Sequence, residues 1–164
     1  MSQSLPSFRI ASCLSAAPAD VWRGISTLGG VNAELWPWLR MTGSPDRPLR
    51  EGSLGRSWLL LGGLVPVDYD DLNIIEVTPG RGFRERSTLG WAKRWHHDRT
   101  IEALPGGHCR ITDDVSWEPR VRGTGGVQEL LVAALFRWRH RRLRKRFPLT
   151  QRPRSQTGRS GLVV

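Results

Sequence analysis

A small set of polar side chains between residues 83 and 117 has the chemistry of a proton-transfer site. His97 is its central member, because histidine changes charge near neutral pH and can act as a general acid or base. Asp113 or Glu85 would orient its ring, so a catalytic role in this set falls to His97 and Asp113. The simpler alternative is an ion pair between Arg99 and Asp113 that braces a sheet without any chemistry.

The neighbouring His96 cannot join His97 in one metal site, since adjacent residues of a strand point to opposite faces of the sheet. A metal site built from His97, Glu85 and Asp113 is allowed by geometry. The sequence has no CxxC motif and no Cys/His cluster at zinc spacing. We therefore expect no metal and no cofactor.

Three antiparallel strands must position these side chains. The predicted strands are 83–91, 95–103 and 109–117. A register that pairs Arg84 with Glu102, and Glu102 with Arg110, gives the even positions a charge-complementary outer face. The odd positions then face inward.

The same parity turns five polar side chains inward. They are Glu85, Ser87, His97, Arg99 and Asp113. In this register Arg99 lies directly opposite Ser87 and Asp113. Each buried group left without a partner would cost about 1–3 kcal/mol. These side chains either pair with one another or line a wet cavity of ligand size, and the parity leaves both open.

One long helix, Val127–Phe147, is predicted between a glycine-containing break and Pro148. At about 1.5 Å per residue it is roughly 30 Å long, enough to cross a small domain. Its first half is apolar nearly all round, which predicts burial, and its second half is cationic with one narrow apolar edge. Its two apolar stripes are Val127, Leu131, Ala134, Leu135 and Trp138, and Val132, Phe136, His140, Leu143 and Phe147.

The preceding chain predicts the remaining elements of an α+β fold. These are a strand at 8–14, a helix that starts at Pro18 and is broken by Gly29-Gly30, a second short helix at 31–35, and strands at 57–61 and 67–77. A slip in the alternation predicts a β-bulge near Asp70-Asp71. The expected fold is a bent antiparallel sheet of six or seven strands wrapped around the long helix, with two short helices after the first strand.

The net charge of +10 is concentrated at one end of the chain. Residues 1–136 are formally neutral, residues 137–147 contribute +7, and the tail adds three arginines. A nucleic-acid-binding domain usually carries its charge on the body, so nucleic acid is an unlikely partner. The basic helix end could instead attach to an anionic membrane surface, or be neutralised by Asp68, Asp70 and Asp71.

The length of 164 residues predicts a single domain, 1–147, followed by a disordered basic tail, 148–164. The two cysteines, Cys13 and Cys109, are too few for a disulfide scaffold. No secretory signal and no membrane-spanning run is visible, which favours a cytoplasmic protein. The sequence leaves the oligomeric state open.

Four motifs resemble the START/Bet v 1-like (SRPBCC) superfamily of helix-grip proteins, which includes polyketide cyclases and dehydratases. They are SAAPADVWRGIS at 15–26, Trp36-Pro37-Trp38, EGSLGRSW at 51–58 and FRWRHRRLRKRF at 136–147. The resemblance covers about 140 residues of the chain. It implies a curved sheet that grips the last helix and leaves a ligand cavity between them.

The sequence and the resemblance together predict a protein that binds a small hydrophobic or polyaromatic ligand in that cavity. The expected ligand-binding residues are Trp36, Trp38, Trp58, Tyr69, Phe83, Glu85, Trp95, His97, Arg99, Asp113, Trp117, Leu131, Leu135 and Phe136. One alternative is a cyclase or dehydratase acting on a polyketide-like substrate. A second is a polyanion-binding module that uses the basic helix end and tail.

Overall fold

The computed structural model describes residues 5–148. Its elements are β1 (Ser7–Leu14), α1 (Pro18–Ile25), α2 (Leu28–Leu35), β2 (Leu39–Met41), β3 (Gly52–Leu61), β4 (Val65–Thr78), β5 (Gly82–Leu89), β6 (Ala92–Leu104), β7 (His108–Pro119) and α3 (Gly125–Arg146). The seven strands form one antiparallel sheet in the order β1-β7-β6-β5-β4-β3-β2. The sheet curls around α3, which confirms the predicted helix-grip architecture. The predicted tail lies outside the described residues, apart from Pro148.

The register between β6 and β7 is as predicted, with Glu102 opposite Arg110 and Arg99 opposite Asp113. The predicted register between β5 and β6 is wrong by four residues, because Arg84 lies opposite Asp98 and not Glu102. Gly90 already belongs to the turn, so β6 begins at Ala92, three residues earlier than expected.

In the observed register, arginines neutralise the repulsion between Asp98 and Asp114. Asp98 lies opposite Asp114 on the outer face of the sheet, where two carboxylates repel each other. Arg84 and Arg86 of β5 both form ion pairs with Asp98, and Arg9 of β1 forms one with Asp114. Because the error in register is an even number of residues, the predicted inward face is unchanged.

Strand β4 contains its irregularities elsewhere than predicted. Where β4 pairs with β5, the register shifts between Ile74 and Glu76. Where β4 pairs with β3, the register shifts between Leu59 and Leu60 of β3. The prediction of a bulge near Asp70-Asp71 is therefore wrong. Regular alternation through the middle of β4 therefore buries Asp70 and leaves Asp71 in an outward ion pair with Arg56.

The prediction that Gly29 and Gly30 break a helix is wrong, because both residues lie within the first turn of α2. Thr27 caps this helix, and its Oγ1 accepts a hydrogen bond from the backbone N–H of Gly30 at 3.1 Å. A Cβ on Gly30 would collide with the backbone carbonyl of Gly24, near the end of α1. The glycine therefore permits α1 and α2 to touch, and α2 then carries Glu34 into the interior.

Helix α3 is buried on one face only. That face carries Val132, Ala133, Phe136, Arg139, His140 and Leu143. The prediction that the first half is buried nearly all round is wrong, since Val127, Leu130 and Leu131 are 64%, 71% and 66% exposed. The helix packs mainly against β1 and α2, and in its N-terminal half Leu135 is partly buried against the core residues of β3 and β4 while Leu131 stays exposed. No helix within residues 5–148 is both long and apolar enough to span a membrane.

We expect Gly30→Ala to lower the free energy of unfolding by about 1–3 kcal/mol, because the added methyl group overpacks the α1–α2 contact. Gly126→Ala is the matched control, since a Cβ at Gly126 in the first turn of α3 meets no atom within 4 Å. That control should be neutral or stabilising by up to about 1 kcal/mol. Urea denaturation of both variants measures the difference, and equal effects would contradict the close-contact role of Gly30.

Candidate functional site

A cavity of about 910 Å³ lies between α2, the N-terminal half of α3 and the inner face of strands β2 to β6. Most of its wall is apolar, formed by leucines of α2 and the sheet together with aromatic rings of β5, β6 and α3. Its polar lining consists of Asp68, Asp70, Glu85, His97, Gln128, Arg139 and Arg141. The cavity therefore combines a large apolar volume with a few polar groups, as small-molecule sites commonly do.

Eight of the expected ligand-binding residues line this cavity. They are Trp38, Phe83, Glu85, Trp95, His97, Leu131, Leu135 and Phe136. Leu131 and Leu135 reach it from the helix stripe that the sheet does not cover. The others come from the inner face of the sheet, the end of α2 and the buried face of α3.

Three of the expected residues lie outside the cavity wall and are partly exposed. Trp36 contributes its carbonyl to Trp138, whose Nε1 donates a hydrogen bond at 3.0 Å. Trp58 and Tyr69 pack edge to face with ring centroids 6.0 Å apart. Arg56 stacks on the Tyr69 ring. Trp58 and Tyr69 pair directly across β3 and β4, so their rings form a cluster of their own on the sheet.

The remaining three, Arg99, Asp113 and Trp117, are fully buried behind the wall. Trp117 packs at the centre of an aromatic group with Trp91 and Trp95, and its Nε1 donates to Gln128 Oε1 at 3.0 Å. Arg99 and Asp113 belong to an ionic network described next. These residues support the wall and do not form its surface.

Asp113 is the centre of the buried network. Arg99 binds both its oxygens, with Nε donating to Oδ1 at 2.7 Å and Nη2 to Oδ2 at 2.8 Å. His97 Nε2 lies 2.8 Å from Oδ1, and His140 Nε2 of α3 lies 2.9 Å from Oδ2. Burial alone would raise the pKa of Asp113, but Arg99 and the two histidines hold it well below its ordinary value.

Glu34 completes the network and was missed by the sequence analysis. It accepts two hydrogen bonds from Arg99, at 2.8 and 2.9 Å, and one from Arg139 Nε at 3.0 Å. Burial alone would raise the pKa of Glu34, yet the two arginines outweigh burial and lower it. The sequence signal that could have indicated its burial is the position of Glu34 between the apolar residues Ala33 and Leu35 in a predicted helix.

Both ring nitrogens of His97 face carboxylates. Nε2 contacts Asp113, and Nδ1 lies 3.4 Å from Glu85 Oε2. Burial lowers the pKa of His97, but its bonds to Asp113 and Glu85 outweigh burial and raise the pKa above the ordinary value. The two acids thus favour the protonated form of the ring. It has no nitrogen left for a ligand unless one of these contacts breaks.

Three carboxylates instead present unpartnered oxygens at the cavity. Asp68 Oδ2, Asp70 Oδ1 and Glu85 Oε1 are buried and have no hydrogen-bond partner within residues 5–148. Burial and then the charge of Glu85 raise the pKa of Asp70 well above its ordinary value. Burial also raises the pKa of Asp68.

Within the described part of the chain, no three His, Cys, Asp or Glu side chains are placed to hold a metal ion. His97, Glu85 and Asp113 meet, but each imidazole nitrogen already faces a carboxylate. This arrangement suits a protonated histidine and not a neutral metal ligand.

The basic end of α3 docks on backbone carbonyls, Glu34 and Ser12. Arg139 binds Glu34, Arg142 Nε donates to Ala33 O at 3.1 Å, and Arg144 Nη1 donates to Ser12 Oγ at 2.7 Å. The expectation that Asp68, Asp70 and Asp71 neutralise this end is wrong. All three residues lie on strand β4 in the sheet, across the cavity from α3.

The sequence model of a family described as "Domain of unknown function (DUF8410)" matches residues 12–147. None of the curated proteins matches this sequence.

Solved structures of low sequence identity share the fold. A START superfamily protein from Mycobacterium smegmatis superposes with a TM-score of 0.64 at 9% identity, over 86% of this chain and 96% of that one. Ara h 8.0201 gives a TM-score of 0.56 at 11% identity, over 87% and 99%. DynU16, from the dynemicin biosynthetic locus, gives 0.59 at 16% identity, over 87% of this chain and 49% of its own. These likenesses show the START/Bet v 1-like helix-grip fold, as predicted.

We expect Asp113→Asn to destabilise the protein by about 3–5 kcal/mol, because it leaves buried cations without their counter-charge. Asp114→Asn, one residue further along β7, is the matched control. Asp114 faces outward in a 3.6 Å ion pair with Arg9, so its loss should cost at most about 1 kcal/mol. Chemical denaturation measures both, and similar losses would contradict the central role of Asp113.

We expect Asp70→Asn to stabilise the protein at about pH 8 by roughly 0.5–2 kcal/mol. A folded-state pKa above the unfolded value means that the carboxyl's cost is absent in acid and grows as pH rises through the folded pKa. The gain should therefore vanish at about pH 4, near the unfolded pKa of aspartate.

Thermal melts across that pH range measure this effect, with Asp71→Asn as the control. Asp71 pairs with Arg56, which lowers its pKa despite some cost of burial, so this variant should be neutral or mildly destabilising at high pH. A stabilisation by Asp70→Asn that does not change with pH would contradict the assigned cause.

Proposed function

The chain belongs to the DUF8410 family, and we propose that it binds a small hydrophobic or polyaromatic molecule in the cavity between its sheet and α3. The observation that carries this proposal is a cavity of about 910 Å³ whose wall is mostly apolar. This volume lies within the range of about 300–1,000 Å³ that is usual for ligand pockets.

The exposure of apolar side chains beside the cavity supports the same function. Leu131 and Trp38 line it and are 66% and 56% exposed, although side chains of this kind favour burial. Covering apolar surface stabilises a complex by about 25 cal/mol per Å². A ligand body that filled the cavity would cover both side chains and convert this exposed surface into binding energy.

The aromatic content of the wall favours a ligand with a flat or extended apolar body. Trp91, Trp95 and Phe136 all line the cavity, and Trp95 lies with ring centroids 5.7 Å from Trp91 and 6.3 Å from Phe136. Rings held in this way offer both faces and edges to an aromatic or aliphatic guest.

A cyclase or dehydratase activity is the second candidate, favoured by the raised pKa of Asp70 at the cavity wall. A carboxyl whose pKa is raised is better suited to act as a general acid than an ordinary aspartate. In this case His97 and Asp113 would not act on substrate directly, because both His97 nitrogens face carboxylates and Asp113 is fully buried. A binding protein returns its ligand unchanged, whereas an enzyme returns a product of different mass or absorbance.

We expect the neutral fluorescent probe N-phenyl-1-naphthylamine to bind with enhanced, blue-shifted emission. Leu135→Trp should weaken this binding at least about tenfold, because Leu135 lines the cavity and the larger ring would fill part of it. Glu129→Trp adds the same ring on an exposed position of α3 that does not line the cavity, and should leave affinity within about twofold.

Fluorescence titration of the three proteins measures the effect. Circular dichroism of each variant checks that the fold is retained. Failure of the parent protein to bind the probe, or an equal loss in both variants, would contradict binding in this cavity.

A further inference from the structure

We propose that the ligand carries a positively charged amine, which pairs with the buried carboxylate of Asp70 on the sheet side of the cavity, where the charge of Glu85 on the next strand adds to the attraction. This inference rests on the proposed function, since it assigns the chemical class of the molecule that the cavity binds. It makes the site selective for a cationic amphiphile or aromatic amine over a neutral or acidic molecule of the same shape.

The first argument is the state of the two carboxylates. Asp70 and Glu85 are only 7% and 5% exposed, and each lines the cavity. Asp70 Oδ1 and Glu85 Oε1 lack a hydrogen-bond partner within residues 5–148. Buried polar atoms are normally paired, so these two oxygens are acceptors that a donor on a ligand would satisfy.

The second argument is the balance of charge beneath the cavity. Glu34 and Asp113 are matched by Arg99 and Arg139, which bind them directly. Glu85 faces the Nδ1 atom of His97 at 3.4 Å.

Asp70, in contrast, forms no ion pair within the described residues, although Glu85 lies close enough to raise its pKa. One positive charge brought to Asp70 would supply the ion pair that this buried acid lacks within residues 5–148.

The surroundings of the pair suit a protonated nitrogen attached to an apolar body. Leu89 lies opposite Asp70, Ile74 lies opposite Glu85, and both line the cavity. Trp91 and Trp95 belong to the same wall and offer aromatic faces, which attract cations. An amine held by charge-assisted hydrogen bonds would thus have hydrophobic contacts on its remaining sides.

An acidic ligand fits this wall less well. It would meet the repulsion of Asp70 and Glu85, and Arg139 at the back of the cavity is already bound to Glu34. Arg141 of α3 is exposed and lines the cavity, so an acid would be held there and away from the sheet. Binding at Asp70 predicts that an amine binds more tightly than an acid of the same chain length, whereas binding at Arg141 predicts the reverse.

The test displaces N-phenyl-1-naphthylamine with dodecylamine, dodecanol and dodecanoic acid at about pH 7, each kept below its micelle concentration. The three molecules share one alkyl chain and differ in the charge of the head group. Dodecylamine should compete at least about tenfold more strongly than dodecanol, and dodecanoic acid more weakly than dodecanol, because only the amine gains a buried ion pair.

Asp70→Asn should reduce the advantage of the amine over the alcohol to within about threefold and leave the affinity of the alcohol nearly unchanged. Glu85→Gln should act in the same direction. Asp71→Asn is the matched control, because Asp71 is adjacent but bound outward to Arg56, and it should keep the full preference for the amine.

The outcomes separate the two proposals. Equal competition by amine and alcohol, or strongest competition by the acid, overturns the amine inference while leaving hydrophobic binding intact. A preference for the amine that survives both Asp70→Asn and Glu85→Gln also overturns it. A parent protein that binds neither the probe nor any of the three molecules removes the proposed function itself.

Discussion

The rest of the structure depends on the buried ion pair between Asp113 and Arg99. Asp113 of β7 joins Arg99 and His97 of β6 to His140 of α3, and Arg99 extends the network to Glu34 of α2. Placing so many charges in the interior carries a large desolvation cost, which geometry of this quality offsets. Because each member binds at least one other, the network defines how α2 and α3 sit on the sheet.

The cavity is a consequence of this anchoring. The contacts that hold α3 act through its C-terminal half, at Arg139, His140 and Leu143, so that half lies close against β1 and the sheet. The N-terminal half is attached on one side only: Gln128 accepts a hydrogen bond from Trp117 Nε1 and Val132 belongs to the core cluster of Trp117, whereas Leu131 on its other side is 66% exposed and lines the cavity. The space left beneath it acquires a rigid, charge-balanced back wall and apolar sides.

The same network separates two kinds of buried acid. Asp113 and Glu34 are surrounded by cations and remain ionised, with pKa values below the ordinary range despite their burial. Asp70 is buried, forms no ion pair within the described part of the chain and has a raised pKa. Unpaired buried groups reduce stability, and proteins retain such groups where a ligand or a reaction requires them. This contrast distinguishes the part of the molecule that maintains the fold from the part that meets a ligand.

The sequence by itself determined the order of the elements and the inward parity of residues 83–117, because alternation along a strand is a local property of the chain. The error in the register between β5 and β6 was an even number of residues, so it moved no side chain to the other face of the sheet. The register between β6 and β7 was correct, and it predicted that Arg99 lies opposite Asp113. Only the tertiary structure decided that Glu34 completes the network, since its bond to Arg99 spans 65 residues. It also decided that Leu131 is exposed beside the cavity and that Asp70 Oδ1 has no hydrogen-bond partner within residues 5–148, because both depend on which elements meet.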